Sequence, residues 1–312
     1  VNATMLLAYV TMCLIFGTSY FAIKLGLEEG ITPFLYAGLR FLFASLLVLL
    51  ILLVRRRLGR LHLKVYLELG FLGILMTTIP FAALFWAEQY ISSGTAALLV
   101  ATAPIFTTLI SLYRKQMTFR WFVPAGLVIS MLGTFLLIGW SHDGSAHQLE
   151  AFFGKLAIIL SELFFSYGAV RSREWVTRLT PFVFNGYQML FASFGLLLLS
   201  FLTEPYAETT FTLTLASSLF YLVILVSIVA STLYYWLVQE TNAAFPTTWT
   251  YVAPVIATAI GYLFLGEALT VSHLIGSFAV LLGVILLNGE GWAKLRQLRT
   301  NATQSPGLQD ER

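Results

Sequence analysis

Charge is what this chain has least of. Asp, Glu, Lys and Arg make up 11% of its 312 residues, against about a quarter in soluble globular proteins. So little charge cannot coat a water-soluble domain of this length. Cysteine is nearly absent as well: the single Cys13 excludes an intramolecular disulfide and says nothing about redox compartment. Only four histidines occur, His62, His142, His147 and His273, and all fall in loops or at helix ends. There is no HExxH motif, no cysteine cluster and no P-loop. Nothing in the sequence therefore points to an enzyme, a metal, a cofactor or ATP-driven work. The net charge of +3 sits in short loops between apolar runs, so a nucleic-acid partner is not expected either.

What is present is apolar. Hydrophobic residues account for 58% and aromatic ones for 15% of the chain, and the mean hydropathy is +0.84. An integral membrane protein follows, its length consumed by spans of about 20 residues each. Runs bounded by charge, Gly or Pro predict ten helices, over 5–25, 33–54, 66–89, 94–113, 121–140, 152–171, 181–202, 215–238, 244–265 and 271–288. The first lacks a basic leader and is followed directly by further spans, so it reads as a span rather than a signal peptide. With ten spans both termini share one side. If that side is the cytoplasm, its loops and tail hold fifteen of the 18 Lys and Arg, which fixes the orientation by the positive-inside rule. A bacterial cytoplasmic membrane with both termini inside is the expected location, and a monomer the expected state.

The chain also repeats itself. Trp86 recurs as Trp236, Gln89 as Gln239, Ala103-Pro104 as Ala253-Pro254, Gly126 as Gly276 and Gly133 as Gly283, all at a spacing of 150. An earlier window matches at 148: Pro33-Phe34 with Pro181-Phe182, Gly38 with Gly186, and Leu42-Phe43-Ala44-Ser45 with Leu190-Phe191-Ala192-Ser193. A doubled unit of five spans must cross the membrane in opposite senses in its two copies. The expected fold is thus an all-α polytopic membrane protein of ten helices in two inverted repeats, 1–145 and 146–290, with a disordered tail over 291–312.

Several motifs carry a family likeness. Phe16-Gly17-Thr18-Ser19-Tyr20-Phe21-Ala22-Ile23-Lys24, Leu39-Arg40-Phe41, and Ala87-Glu88-Gln89-Tyr90-Ile91-Ser92-Ser93-Gly94 leading to Ala103-Pro104 resemble the EamA family of the drug/metabolite transporter superfamily. So does Tyr251-Val252-Ala253-Pro254 leading to Gly266-Glu267. The resemblance implies a central cavity lined mainly by the first, third, fourth, sixth, eighth and ninth spans. It also implies export of amino acids, other metabolites or drugs.

Charges inside the spans are the leading functional candidates, because a central charge costs at least about 2.5–3.5 kcal/mol. Glu162 lies roughly 15 Å into the sixth span and Arg40 roughly 10 Å into the second, at about 1.5 Å per residue. Neither is repeated: the counterparts are Leu14 and Gln188. Glu162 is a candidate for proton coupling or cation binding; a structural Arg40–Glu162 pair, or a carboxyl capped by nearby hydroxyls, is the alternative. Glu88 and Lys24, near the outer span ends, are candidates for a gate or for ordinary interfacial placement.

Neutral polar ridges come second. Ser227, Ser231, Tyr235 and Gln239 recur every four residues, and Thr78, Phe81, Phe85, Glu88 and Gln89 form a comparable stripe. Thr247, Tyr251, Pro254 and Thr258 form a third. Thr18, Tyr20, Trp86, Tyr167, Trp236 and Trp249 complete the candidate substrate wall; helix packing through small hydroxyl residues is the competing explanation. Pro80, Pro104 and Pro254 each remove a helix donor and are candidate hinges or static bends. The function expected is a secondary exporter of small metabolites, amino acids or amphipathic drug-like compounds, working by alternating access with protons as a candidate coupling ion. An uncoupled uniporter or exchanger, and a membrane scaffold or enzyme, are the alternatives.

Overall fold

The computed structural model describes residues 3–57, 61–91, 93–138, 148–205, 212–256 and 271–287. These fold into ten helical units in the order of the predicted spans. They are α1 (Ala3–Glu28), α2 (Pro33–Val54), α3 (Leu63–Ala87), α4 (Ser93–Val100, then Ala103–Tyr113), α5 (Phe122–Ile138) and α6 (Gln148–Arg178). Then come α7 (Pro181–Thr203), α8 (Leu213–Glu240), α9 (Ala244–Thr247, then 249–256) and α10 (Val271–Leu287). No strand occurs among the described residues. The predicted tail, the boundary near residue 145, Thr258 and Glu267 fall outside them.

Local chemistry sets the helix starts. Thr32 and Thr180 hold extended backbone and are followed by Pro33 and Pro181, whose missing N–H costs nothing in a first turn. Thr180 caps its own helix by accepting from Val183 N. Thr32 does not; instead the Glu204 carboxylate, just past α7, accepts from Phe34 N at 2.6 Å and Leu35 N at 3.0 Å. An anion thus closes the positive end of α2.

Five helices, α1, α2, α3, α7 and α8, are individually long and apolar enough to cross a bilayer, and α4, α5 and α10 contain shorter apolar stretches. Helix α6 outruns its predicted span by seven residues at its C-terminal end. At about 1.5 Å per residue its 31 residues reach about 46 Å, beyond the hydrocarbon core of about 30 Å. At the base of this polar extension Arg171 pairs with Glu68 at 2.6 Å. Large apolar side chains such as Leu50, Val54, Leu67, Phe201 and Phe220 face outward, while Ser45, Thr107, Asn185, Gln188 and Ser227 lie inside. That distribution suits lipid outside and polar partners within.

The packing is two-fold, and it is antiparallel. A methyl on Gly126 of α5 would lie 2.7 Å from the Gly283 carbonyl oxygen of α10; one on Gly133 would lie 2.8 Å from that of Gly276. Each glycine therefore meets the repeat counterpart of the other, the signature of an isologous contact between two copies. Helices α2 and α7 do the same: Gly38 meets Leu197, and Gly186 meets Val48 and Leu49, the latter being the counterpart of Leu197. In both pairs the residue numbers run in opposite directions. Equivalent helices that cross antiparallel require an axis perpendicular to them, so the repeats are inverted. Two further contacts obey the same exchange: α3 packs on α6 as α8 packs on α1, and α3 packs on α7 as α8 packs on α2.

Two irregularities reshape the interior. Helix α3 carries a wide, π-type turn over Ile74–Thr78 and α8 one over Leu222–Ala230, at matching places in the repeat. The expected proline bends take a different form. Pro80 stands in the first turn after the wide turn of α3, and Pro104 in the first turn after the break at residues 101–102. Neither removes a donor from an intact helix, because the chain has already interrupted the ladder there. Pro254 lies within the helical stretch 249–256.

Candidate functional site

A cavity with about 90 Å³ of space open to water-sized groups lies between the halves. Phe16, Ser19, Tyr20 and Ile23 reach it from α1, Met76, Thr77, Pro80, Phe81 and Leu84 from α3, and Val100 from α4. Glu162 and Phe165 come from α6, Val226, Ser231, Tyr234 and Tyr235 from α8, and Trp249 and Thr250 from the second part of α9. Helices α2 and α7 also contribute, with Arg40 and Phe41 from one and Asn185, Gln188 and Met189 from the other.

Arg40 is 1% exposed. Its Nε donates to Ser227 Oγ at 2.9 Å, its guanidinium carbon lies 4.8 Å from the Phe41 ring centre and 4.9 Å from that of Phe81, and its Nη1 has no partner. A hydroxyl and two ring faces thus hold a full charge that no carboxylate neutralises.

Glu162, 5% exposed, stands on another wall. No ion pair joins it to Arg40, and among the described residues its carboxylate has no hydrogen-bond partner. Tyr20 and Tyr234 lie close enough to feel its charge. The structural-pair alternative is therefore not what this fold builds. Its sequence counterpart Leu14 faces outward, 50% exposed, so the side chains that α1 offers to the cavity are Phe16, Ser19, Tyr20 and Ile23 instead.

Of the other sequence candidates, Tyr20, Pro80, Phe81, Ser231, Tyr235 and Trp249 line the cavity. Phe85 stands one layer behind, edge-on to Tyr36 and Phe81. Thr78 donates to the Ala192 carbonyl at 3.1 Å and packs against Gly195, and Thr18 bonds the Tyr221 hydroxyl. Trp86 lies against Tyr90, Gln89 donates to the Trp86 carbonyl, and Tyr167 accepts from Arg114 at 3.4 Å. Trp236 and Gln239 are half-buried outside the lining. Tyr251 is buried near Leu127 and Val280 with an unpartnered hydroxyl. Glu88 is 1% exposed with both oxygens unpartnered; Lys24 is the charge near it, but the two form no ion pair.

One family model, that of the EamA-like transporter family, matches the chain twice, over residues 3–139 and 152–289. The chain belongs to the EamA-like transporter family. Among its relatives is the uncharacterized inner membrane transporter YedA of Escherichia coli (strain K12), 28% identical over 90% of this chain and 89% of the relative. The uncharacterized transporter YoaV of Bacillus subtilis (strain 168) is 25% identical over 90% of this chain and 95% of its own length. A solved crystal structure shares the fold with a TM-score of 0.73 at 20% identity, covering 92% of this chain and 96% of that one.

In this EamA-like chain the sequence stripes missed Thr77, Asn185, Gln188 and Tyr234. One signal was available: Gln188 is the repeat counterpart of Arg40, so a functional position in one half marks its partner in the other. Thr77 gave the same signal, being the repeat counterpart of Ser227; Tyr234 gave none, because a wide turn moves side chains off the face that four-residue spacing assigns to them.

Proposed function

We propose that this transporter-family protein is a secondary exporter that carries a small amphipathic solute through the central cavity by alternating access, with Glu162 as its coupling group. The observation that supports this most is the pair of opposite charges, Arg40 and Glu162, lining one cavity without pairing. Two buried charges kept apart forgo the attraction that would offset their desolvation, and a solute or a proton is what each can meet there. The rings of Phe16, Tyr20, Phe81, Phe165 and Trp249 offer a wall for an apolar body, and Ser19, Thr77 and Ser231 offer polar atoms in place of water. Amino acids and amphipathic drug-like compounds fit that description. In this reading the units 1–145 and 146–290 rock about the pseudo-two-fold axis, exposing the cavity to either side in turn. The loop charges favour both termini on the cytoplasmic side.

The test is a thermal-shift panel of amino acids, nucleobases, sugars and cationic drugs on purified protein, followed by flux of each hit in proteoliposomes. A ligand that binds only the folded state raises apparent stability. The reading predicts selective stabilisation by solutes with an apolar body, and flux of those solutes driven by a pH gradient. Flux that ignores the pH gradient would favour an uncoupled uniporter or exchanger. Protein that moves no solute while turning over a lipid would favour an enzyme.

A further inference from the structure

The surroundings of Arg40 narrow the chemical class of the solute. Resting on the transport reading above, we propose that the Arg40 guanidinium docks a carboxylate of the transported solute, and that Asn185 receives a hydrogen-bond donor placed beside that carboxylate.

Three observations carry this. First, the guanidinium is fixed but unfinished. Ser227 Oγ occupies its Nε at 2.9 Å and the Phe41 and Phe81 rings, edge-on to each other, pack against one side of it, while Nη1, buried in the cavity wall, has no acceptor. A planar fork of donors held in one orientation matches the two oxygens of a carboxylate. An amine or a quaternary cation would meet repulsion there.

Second, Asn185 is fixed in the complementary sense. Its Nδ2 donates to the Ser227 carbonyl at 2.9 Å and to Thr232 Oγ1 at 3.1 Å, which leaves Oδ1 as a buried acceptor with no partner. Such an acceptor needs a donor. Arg40 and Asn185 are tethered to the same residue, one to the hydroxyl of Ser227 and the other to its carbonyl. The free donor and the free acceptor are thus borne by two side chains anchored on one residue, an arrangement that suits a carboxylate with an N–H or O–H group close by.

Third, the anion pole is one-sided. The mirror position of Arg40 is Gln188, a neutral amide whose Nε2 donates to Thr77 Oγ1. The solute would therefore lie with its charged head toward α2 and its apolar body along the rings of Phe81, Phe16 and Trp249.

Phenylalanine, its carboxamide, phenethylamine and 3-phenylpropionate are the probes, measured by thermal shift and by flux in proteoliposomes. In the unaltered protein phenylalanine should stabilise and move. The carboxamide and the amine should bind at least about tenfold more weakly, a difference of about 1.4 kcal/mol. Arg40→Gln copies the arrangement that the fold already uses at Gln188, so it should remain folded and lose the preference for the carboxylate. Asn185→Leu should keep the carboxylate preference but stop distinguishing phenylalanine from 3-phenylpropionate. Equal binding of the carboxamide or the amine by the unaltered protein overturns the proposal without any variant, as does an Arg40→Gln protein that still prefers the carboxylate. Carboxylate-selective binding with no flux would keep the site and refute transport, whereas flux of amines and carboxylates alike would keep transport and refute the site.

Discussion

Arg40 of α2 donates to Ser227 of α8 across the line between the two halves, and this contact has a mirror image. Shifted by the repeat spacings, Arg40 becomes Gln188 and Ser227 becomes Thr77, and Gln188 donates to Thr77. A second mirror pair lies beside it: Tyr36 meets Phe85 edge-on at 5.6 Å, and their counterparts Phe184 and Tyr235 meet edge-on at 4.7 Å. The scaffold around the cavity is thus duplicated contact by contact, while the charge is not. Arg40 and Glu162 are what break the symmetry.

Ser227 holds the guanidinium in place, so its removal should show in substrate affinity rather than in folding. A hydrogen bond to a charged group is worth about 1.5–3 kcal/mol. Ser227→Ala should raise KM roughly tenfold or more with little change in thermal unfolding. Thr77→Ala, at the neutral mirror contact, should change KM less. Flux assays on both variants check this, and equal effects would argue against a privileged role for Arg40.

Glu162 is assigned the coupling role, and Glu162→Gln removes its charge while keeping its shape. Uptake driven by a pH gradient should be abolished, while solute exchange at equal pH continues and the protein stays folded. Unchanged proton-dependent flux in proteoliposomes would remove Glu162 from the mechanism.

Contact between α5 and α10 depends on glycine because backbone meets backbone there. Gly126→Ala would place a methyl 2.7 Å from the Gly283 carbonyl oxygen, which no rotamer change relieves. Forced overpacking costs about 1–3 kcal/mol, so a lower thermal midpoint in detergent is expected. Gly70→Ala is the control, since its new methyl would find ordinary contact at 3.6 Å from Phe191.

Much of this was legible in the chain. The spacing of 150 announced the doubling, and an odd number of spans per copy made it inverted. The glycines that matched across that spacing proved to be the residues where equivalent helices touch. Arg40 and Glu162 stood out because charge is costly in a membrane. Hidden from the sequence were the wide turns of α3 and α8, which place Thr77 and Tyr234 in the cavity and split the Ser227–Ser231–Tyr235–Gln239 stripe. Ser227 turns to Arg40, Ser231 and Tyr235 reach the cavity, and Gln239 lies beyond it. A stripe at four-residue spacing assumes an unbroken helical period, and nothing in Leu222–Ala230 announces that the period changes there.

The central claim is that solute passes through the cavity bearing these two charges, and thiol blocking tests it most directly. With Cys13, the only native cysteine, replaced by alanine, Phe81→Cys places a thiol on the cavity wall. A bulky maleimide at that position should stop flux in proteoliposomes, and a transported solute should slow the labelling. Full flux through fully labelled protein would contradict the account.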